Sequence, residues 1–165
     1  MFEKDQWVLY GIHGVCRVIG TEKQMVNRKR TEFLVLEPLS RGESRYYLPT
    51  GNPTALSKLK TVLSPQELTD LLASAESREY VWIHDEGARK QTYKDVINNS
   101  DRQMLLKLVS SLYRYRDEQA AAGRKFHLCD ENFLRDAEKV LASEIALVLN
   151  MTPEEARNYL RAQLQ

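Results

Sequence analysis

Hydrophobic and polar positions alternate over short stretches in the first sixty residues, as they do in β-strands. The segments 6–10, 14–19, 32–38 and 45–49 are rich in aromatic and β-branched residues, and turn-forming residues separate them. The sequence SRGES, at 40–44, predicts a tight turn between the last two segments. Several short strands in succession predict a small, strongly bent sheet or barrel, which is more often a binding module than an enzyme.

From residue 64 onward, hydrophobic residues recur every three or four positions, which is typical of helices. The motifs SPQE at 64–67 and TPEE at 152–155 combine an N-cap residue, proline and glutamate as a capping box does. We predict helices over 65–75 and 86–97, one from the NNSD cap at 98–101 to about Arg116, one capped by Asp130, and one after residue 152. The fold class is therefore α+β, with a β module over 1–63 and a compact all-α domain of about five helices over 64–165.

The net charge of +1 hides local differences. The balance of charged residues is +4 over 1–63, −3 over 64–165 and +3 over 78–125. The chain is therefore not attracted to nucleic acid as a whole, but it can carry a local basic face. No apolar stretch is long enough to span a bilayer, and the first residues do not form the apolar segment of a signal peptide. We expect a cytoplasmic protein with reduced cysteines and no membrane contact.

Catalytic motifs are not evident. The sequence contains neither a phosphate-binding glycine loop nor a nucleophile elbow, and His13, His84 and His127 are scattered. His127 and Cys129 stand two residues apart but have no second pair of ligands, which a structural zinc site needs. Asp130 and Glu131 fit a capping role at a helix start. We predict a protein that is not an enzyme and that has no cofactor, bound metal or small-molecule substrate.

Two segments favour a binding function. Alternation along the predicted strand 45–49 places Arg45 and Tyr47 on one face and Tyr46 and Leu48 on the other. This pattern fits either a half-buried strand or a strand edge that pairs with a partner's strand.

The second segment is REYVWIHDEGARKQTYK, at 78–94, where Trp82 lies in a polar connector. The indole either fills a gap between helices or acts as an apolar wedge at nucleic acid, with Arg89, Lys90 and Lys94 on phosphates.

The chain resembles the CarD/CdnL-like family of bacterial transcription regulators, in the version common in Firmicutes. At the N-terminus the resemblance rests on Phe2, the run Asp5–Tyr10 and His13–Val15, followed by EFLVLEP and YYLP. In the C-terminal half it rests on landmarks that occur in order: Trp82, Arg89, Tyr93, Lys94, Ser100–Arg102, Leu112, Tyr113, Gly123–Lys125, His127, Asp130, Glu131 and Ala137–Lys139. Gly11 departs from the family, which commonly has proline there.

The resemblance implies a Tudor-like domain that binds the β subunit of RNA polymerase through a strand edge. The positions that touch polymerase fall at Gln24 and Tyr47, with Lys23 and Arg45 beside them. It also implies that the helical domain contacts promoter DNA near the upstream edge of the transcription bubble, with Trp82 in the minor groove, and changes the lifetime of the open complex without reading sequence. The alternative is a protein–protein adaptor that uses the β module alone, without DNA contact.

Overall fold

A computed structural model describes residues 2–39 and 44–165 of the protein. In this part of the chain, the N-terminal residues form a five-stranded antiparallel sheet with the order β4-β3-β2-β1-β5. A 3₁₀ turn, Gly11–His13, joins β1 to β2, and a short helix, α1 (Pro53–Leu56), precedes β5. The strands are β1 (Trp7–Tyr10), β2 (Val15–Val26), β3 (Lys29–Pro38), β4 (Tyr46–Pro49) and β5 (Leu59–Thr61).

The hairpin of β2 and β3 is much longer than predicted. Pairing continues from Cys16 with Pro38 out to Val26 with Lys29, with an irregularity between Val18 and Gly20. The short strand β5 was not predicted either. The predicted turn at 40–44 falls mainly on residues outside the described part of the chain.

The C-terminal residues form five α-helices, in agreement with the predicted number. They are α2 (Pro65–Ala73), α3 (Glu86–Asn98), α4 (Arg102–Ala121), α5 (Leu128–Val148) and α6 (Pro153–Leu164), with a 3₁₀ turn at Ala75–Arg78. Ser64 and Thr152 form the predicted capping boxes, and the side chain of Asp101 caps α4. The α+β fold class is therefore confirmed.

One prediction about the helices is wrong. Asp130 does not cap α5, because the helix begins at Leu128 and its N-cap residue is His127. The Asp130 side chain is instead fully buried.

The sheet encloses a small hydrophobic core of its own, built from Val8, Cys16, Val18, Leu34, Leu36, Leu48 and Leu59. A larger core fills the helical part, and it includes Leu9 and Val15 from β1 and β2. Since side chains alternate along a strand, β1 and β2 contribute to both cores at once. The sheet therefore packs directly on the helices.

Polar contacts reinforce this packing at the turn between β1 and β2. The backbone N–H of Gly11 donates to the buried hydroxyl of Ser100 at 2.8 Å, and that of Val15 donates to Ser143 at 3.2 Å. Gly11 has a φ of +48°, which the ring of proline forbids. Glycine at this position therefore permits the turn, and its backbone N–H supplies the hydrogen bond to Ser100.

A buried ion pair fastens the end of the sheet to the helices. Arg102 of α4 donates to Glu144 of α5 through Nε at 2.7 Å and Nη2 at 2.8 Å, and Glu144 is almost fully buried. The same carboxylate accepts the backbone N–H of Leu63 at 3.1 Å, and Arg102 also donates to the Thr61 carbonyl. The link between β5 and α2 is therefore held at both of its ends.

Within the described residues, no helix combines the length and the hydropathy that crossing a bilayer requires. Cys16 and Cys129 are not joined in a disulfide.

Candidate functional site

The strand β4 lies at one edge of the sheet. Its four residues pair with Phe33–Leu36 of β3 on one side. On the other side, no strand in the described part of the chain pairs with it. Its outer backbone groups are therefore placed to accept another strand.

Side chains of β4 follow the predicted alternation. Tyr47 is 43% exposed and meets the Phe33 ring edge-on at 6.3 Å, while Arg45 pairs with Glu37 at 3.3 Å. On the opposite face, Leu48 is buried in the core of the sheet and the Tyr46 ring lies 4.0 Å from that of His13. The Tyr46 ring is thus part of the packing, and Tyr47 is the tyrosine that faces outward.

The structure divides the predicted polymerase contacts between two faces. Gln24 lies opposite Thr31 of β3, and Thr31 is two residues from Phe33. Because residues two apart in a strand share a face of the sheet, Gln24 is on the face that carries Phe33 and Tyr47. Lys23 is exposed but is the neighbouring residue in β2, so it points to the opposite face. Of the four predicted contacts, Gln24, Arg45 and Tyr47 share one face.

Exposed apolar side chains at the end of the hairpin were not singled out from the sequence. Met25 is 67% exposed and Val26 is 42% exposed. The signal was available, because two hydrophobic residues stand in an otherwise polar run from 21 to 31. Met25 follows Gln24 in β2, so its side chain points to the face opposite Tyr47, which is the face of Lys23.

Trp82 is half-buried in the helical domain, and it combines features of both interpretations of the sequence. Its ring stacks on that of Tyr115 in α4, with centroids 4.0 Å apart and planes 24° apart. The guanidinium of Arg89 lies 4.7 Å from the indole centroid. The extended connector that carries Trp82 is fixed to α4 by the Val81 N–H, which donates to the Ser111 hydroxyl at 2.8 Å. The indole is therefore held in place while part of it stays accessible.

Arg89 is the centre of a buried polar network. It donates to both oxygens of Asp130, at 2.8 Å and 3.2 Å, and to the Ile83 carbonyl at 3.0 Å. The Tyr93 hydroxyl donates to the same carboxylate at 2.8 Å. Burial lowers the pKa of Arg89, but the hydrogen bond and charge of Asp130 outweigh it and raise that pKa above its usual value.

This network corrects one predicted role. Arg89 is only 4% exposed, and its guanidinium is already bound to Asp130 and to backbone carbonyls. The sequence prediction that it contacts phosphate therefore disagrees with the structure. Arg89 instead supports the indole of Trp82 and ties the connector to α5.

Lys90 and Lys94 lie one turn apart on the exposed side of α3. Lys90 pairs with Glu86 at 3.5 Å, where both side chains are 57% exposed, so this ion pair is weak. Both lysines line a shallow cleft of about 230 Å³ that also receives Ile12 from the turn after β1. The lysines thus stand close to the junction between the sheet and the helices.

His127 and Cys129, the two residues considered for metal binding, lie at the start of α5. Among the described residues, no group of three or more His, Cys, Asp and Glu side chains is arranged to hold a metal ion. The Cys129 thiol lies 3.7 Å from a Glu86 oxygen, and burial together with the charge of Asp130 raises the pKa of that thiol.

Comparison with known families accounts for the sheet. Residues 2–60 match the model of the CarD-like/TRCF RID domain. The match lies wholly in the N-terminal part of the chain and runs from before β1 to within β5. RID domains are domains that interact with RNA polymerase. A search among curated proteins found no match to the chain.

The RID match and the resemblance noted in the sequence agree for the N-terminal part. The exposed edge strand and the face that carries Tyr47 both belong to the RID domain. Trp82, Lys90 and Lys94 lie beyond the matched residues, so the match does not bear on them.

Proposed function

We propose that this protein is a transcription regulator that joins RNA polymerase to promoter DNA. The RID domain binds the β subunit of the polymerase, and the helical domain contacts DNA near the upstream edge of the transcription bubble without reading its sequence. The observation that carries the proposal is the RID match over residues 2–60, combined with the open edge of β4 in that domain.

The docking surface consists of the outer edge of β4 and the face that carries Gln24, Arg45 and Tyr47. Strand addition would supply backbone hydrogen bonds, and the flanking side chains would supply specificity. Tyr47 offers a rigid aromatic contact, and its ring is already oriented by Phe33. Lys23, on the other face, is a peripheral contact in this arrangement.

The proposed DNA surface consists of Trp82, Lys90 and Lys94. Tyr115 and Arg89 hold the indole, which lowers the entropy lost when the ring is ordered against a base step. A ring that occupies an opened step stabilises the unwound state because that step cannot restack. Few phosphates are neutralised, so binding would be weak and salt-sensitive unless docking on polymerase raises the local concentration of the helical domain.

A pull-down of the polymerase β subunit tests the docking surface. The double variant Arg45→Glu and Tyr47→Ala removes the aromatic contact and reverses a charge on the docking face, so retention should fall. A matched double variant, Arg124→Glu and Tyr80→Ala, changes the same residue classes at exposed positions of the helical domain and should retain the subunit. Equal retention of both variants would place the docking surface elsewhere.

Open-complex lifetime tests the role of Trp82. By comparison with base stacking, loss of the ring should remove about 1–3 kcal/mol of selective stabilisation, which corresponds to a change of about five- to 150-fold in lifetime. Trp82→Ala should abolish the effect on lifetime while polymerase retention persists. Tyr80→Ala, which removes another exposed aromatic side chain from the same connector, should keep the effect.

The alternative function is a protein–protein adaptor that uses the RID domain without DNA contact. The stacking of Trp82 on Tyr115 also fits a structural role for the indole. In that case Trp82→Ala would lower thermal stability and leave promoter kinetics unchanged, whereas the proposed function requires changed kinetics in a variant that is still folded.

A further inference from the structure

A second basic surface lies between α4, α5 and α6, in the part of the helical domain where acidic residues predominate. The cleft has a volume of about 450 Å³. Its lining comprises five cations, two glutamates and one leucine: Arg116, Arg135, Lys139, Arg157, Arg161, Glu131, Glu138 and Leu134. Residues 126–165 as a whole carry four cations against seven carboxylates, so the cations are concentrated in this cleft.

Two cations of the cleft, Arg116 and Arg135, are only weakly neutralised by neighbouring carboxylates. Glu138 is buried and accepts from Arg161 at 2.9 Å, which accounts for one cation and one carboxylate. Among the described residues, Arg116 and Arg135 form ion pairs only with the carboxylates next to them in sequence, Asp117 at 3.8 Å and Asp136 at 3.9 Å. Such long, exposed contacts contribute little, so these guanidiniums remain able to bind an anion.

One residue that lines the cleft is the sequence neighbour of a residue that contacts Trp82. Arg116 follows Tyr115, the residue on which the indole stacks, and its guanidinium lies 5.2 Å from the Tyr113 ring centroid. At the other end, Arg157 also lines the cavity that borders the turn between β1 and β2. The basic cleft therefore borders the RID domain through Arg157, and it includes the residue that follows Tyr115 in α4.

We propose that this cleft binds the sugar–phosphate backbone of the DNA that Trp82 engages. Arginine suits this role because its planar guanidinium can donate two parallel hydrogen bonds to a phosphate. The lining contains no aromatic ring on which a base could stack, so the cleft holds backbone and reads no bases. This inference rests on the proposed function and extends its DNA contact across the helical domain.

The test is the salt dependence of binding of the full chain to a labelled duplex, measured by fluorescence anisotropy. Arg135→Gln with Arg157→Gln removes two proposed phosphate contacts without adding negative charge. The slope of log affinity against log salt should become shallower by about two. From about 50 to about 200 mM salt, the unaltered chain should therefore lose about tenfold more affinity than the variant.

Two further variants separate the possible results. Lys4→Gln with Lys60→Gln makes the same change in net charge on the RID domain, and equal slopes for this control and the cleft variant would overturn the inference. If Lys90→Gln with Lys94→Gln weakens binding and the cleft variant does not, the proposed function stands and the cleft assignment falls. If the unaltered chain binds no duplex even at low salt, the DNA part of the proposed function fails first.

A protein ligand would give a different result. If the cleft variant binds duplex normally but loses retention on polymerase, the cleft binds an acidic protein segment and the DNA inference is wrong. Circular dichroism of each variant confirms folding, and we expect little change because Arg135 and Arg157 are both exposed.

Discussion

At the scale of single residues, the carboxylate of Asp130 organises the surface around Trp82. It is fully buried and binds both Arg89 and the Tyr93 hydroxyl. Arg89 in turn contacts the indole and the connector carbonyls, so one carboxylate fixes three parts of the domain. The sequence could not reveal this, because an aspartate near a helix start also fits an N-cap and only the tertiary fold brings Arg89 to it.

Removal of this carboxylate should be strongly destabilising. Asp130→Ala leaves Arg89 buried without its partner, and we expect a loss of about 3–5 kcal/mol in the free energy of unfolding. Glu131→Ala, at the next and exposed position of α5, should cost less than about 1 kcal/mol. Urea denaturation of both variants checks the prediction, and similar losses would show that burial of the pair is not what matters.

The same network predicts a response to alkaline pH. Burial and the hydrogen bond to Asp130 raise the pKa of Tyr93 well above its usual value near 10. Above that pH the unfolded chain releases the phenolic proton while the folded chain retains it, so stability falls as pH rises. Tyr93→Phe should lose about 1.5–3 kcal/mol at neutral pH and show a shallower decline above pH 10. An unchanged alkaline slope in urea titrations would contradict the assignment.

At the scale of elements, the helices and strands that a local sequence signal marks were predicted correctly, and those without such a signal were missed. The capping boxes at Ser64 and Thr152 are local signals, and they marked two helix starts correctly. The distal part of the β2–β3 hairpin was missed because TEKQMVNRKRT is polar and contains no glycine at its turn. There the backbone ladder continues between mostly exposed residues, and such residues leave no periodic hydrophobic signal.

The turn of that hairpin offers a stabilising substitution. Asn27 and Arg28 both have positive φ, +50° and +64°, as a two-residue type I′ turn requires. Asparagine adopts this conformation at little cost but arginine is strained in it, so Arg28→Gly should stabilise the protein by roughly 0.5–1 kcal/mol. Lys29→Gly, at the first residue of β3, should instead destabilise it by a similar amount. Thermal melts of the two variants should therefore shift in opposite directions.

At the scale of the whole molecule, the division of the chain into a β module and a helical domain describes the elements but not their packing. Leu9 and Val15 belong to the sheet yet lie in the core of the helices. Glu144 and Arg102 join α4 and α5 to the segment that follows β5. Neither feature has a local signature, because each depends on residues more than forty positions apart in sequence. For a protein that links two partners, such packing would transmit the position of the polymerase-bound domain to Trp82.

Coupling of the two parts can be measured because each contains one tryptophan. With Trp82→Phe the remaining Trp7, which lies in β1 and packs against the larger core, reports on the sheet where it contacts the helices. With Trp7→Phe the remaining Trp82 reports on the helices. The two urea midpoints should coincide, since coincident probes indicate a single cooperative transition.

Glu144→Ala leaves Arg102 without its carboxylate and frees the Leu63 N–H, so the midpoints should separate, with the sheet unfolding first. Glu138→Ala removes a buried glutamate that pairs with Arg161 inside the helical domain, and it should lower both midpoints together. Coincident midpoints after Glu144→Ala would mean that the apolar contacts of Leu9 and Val15 suffice to couple the sheet to the helices.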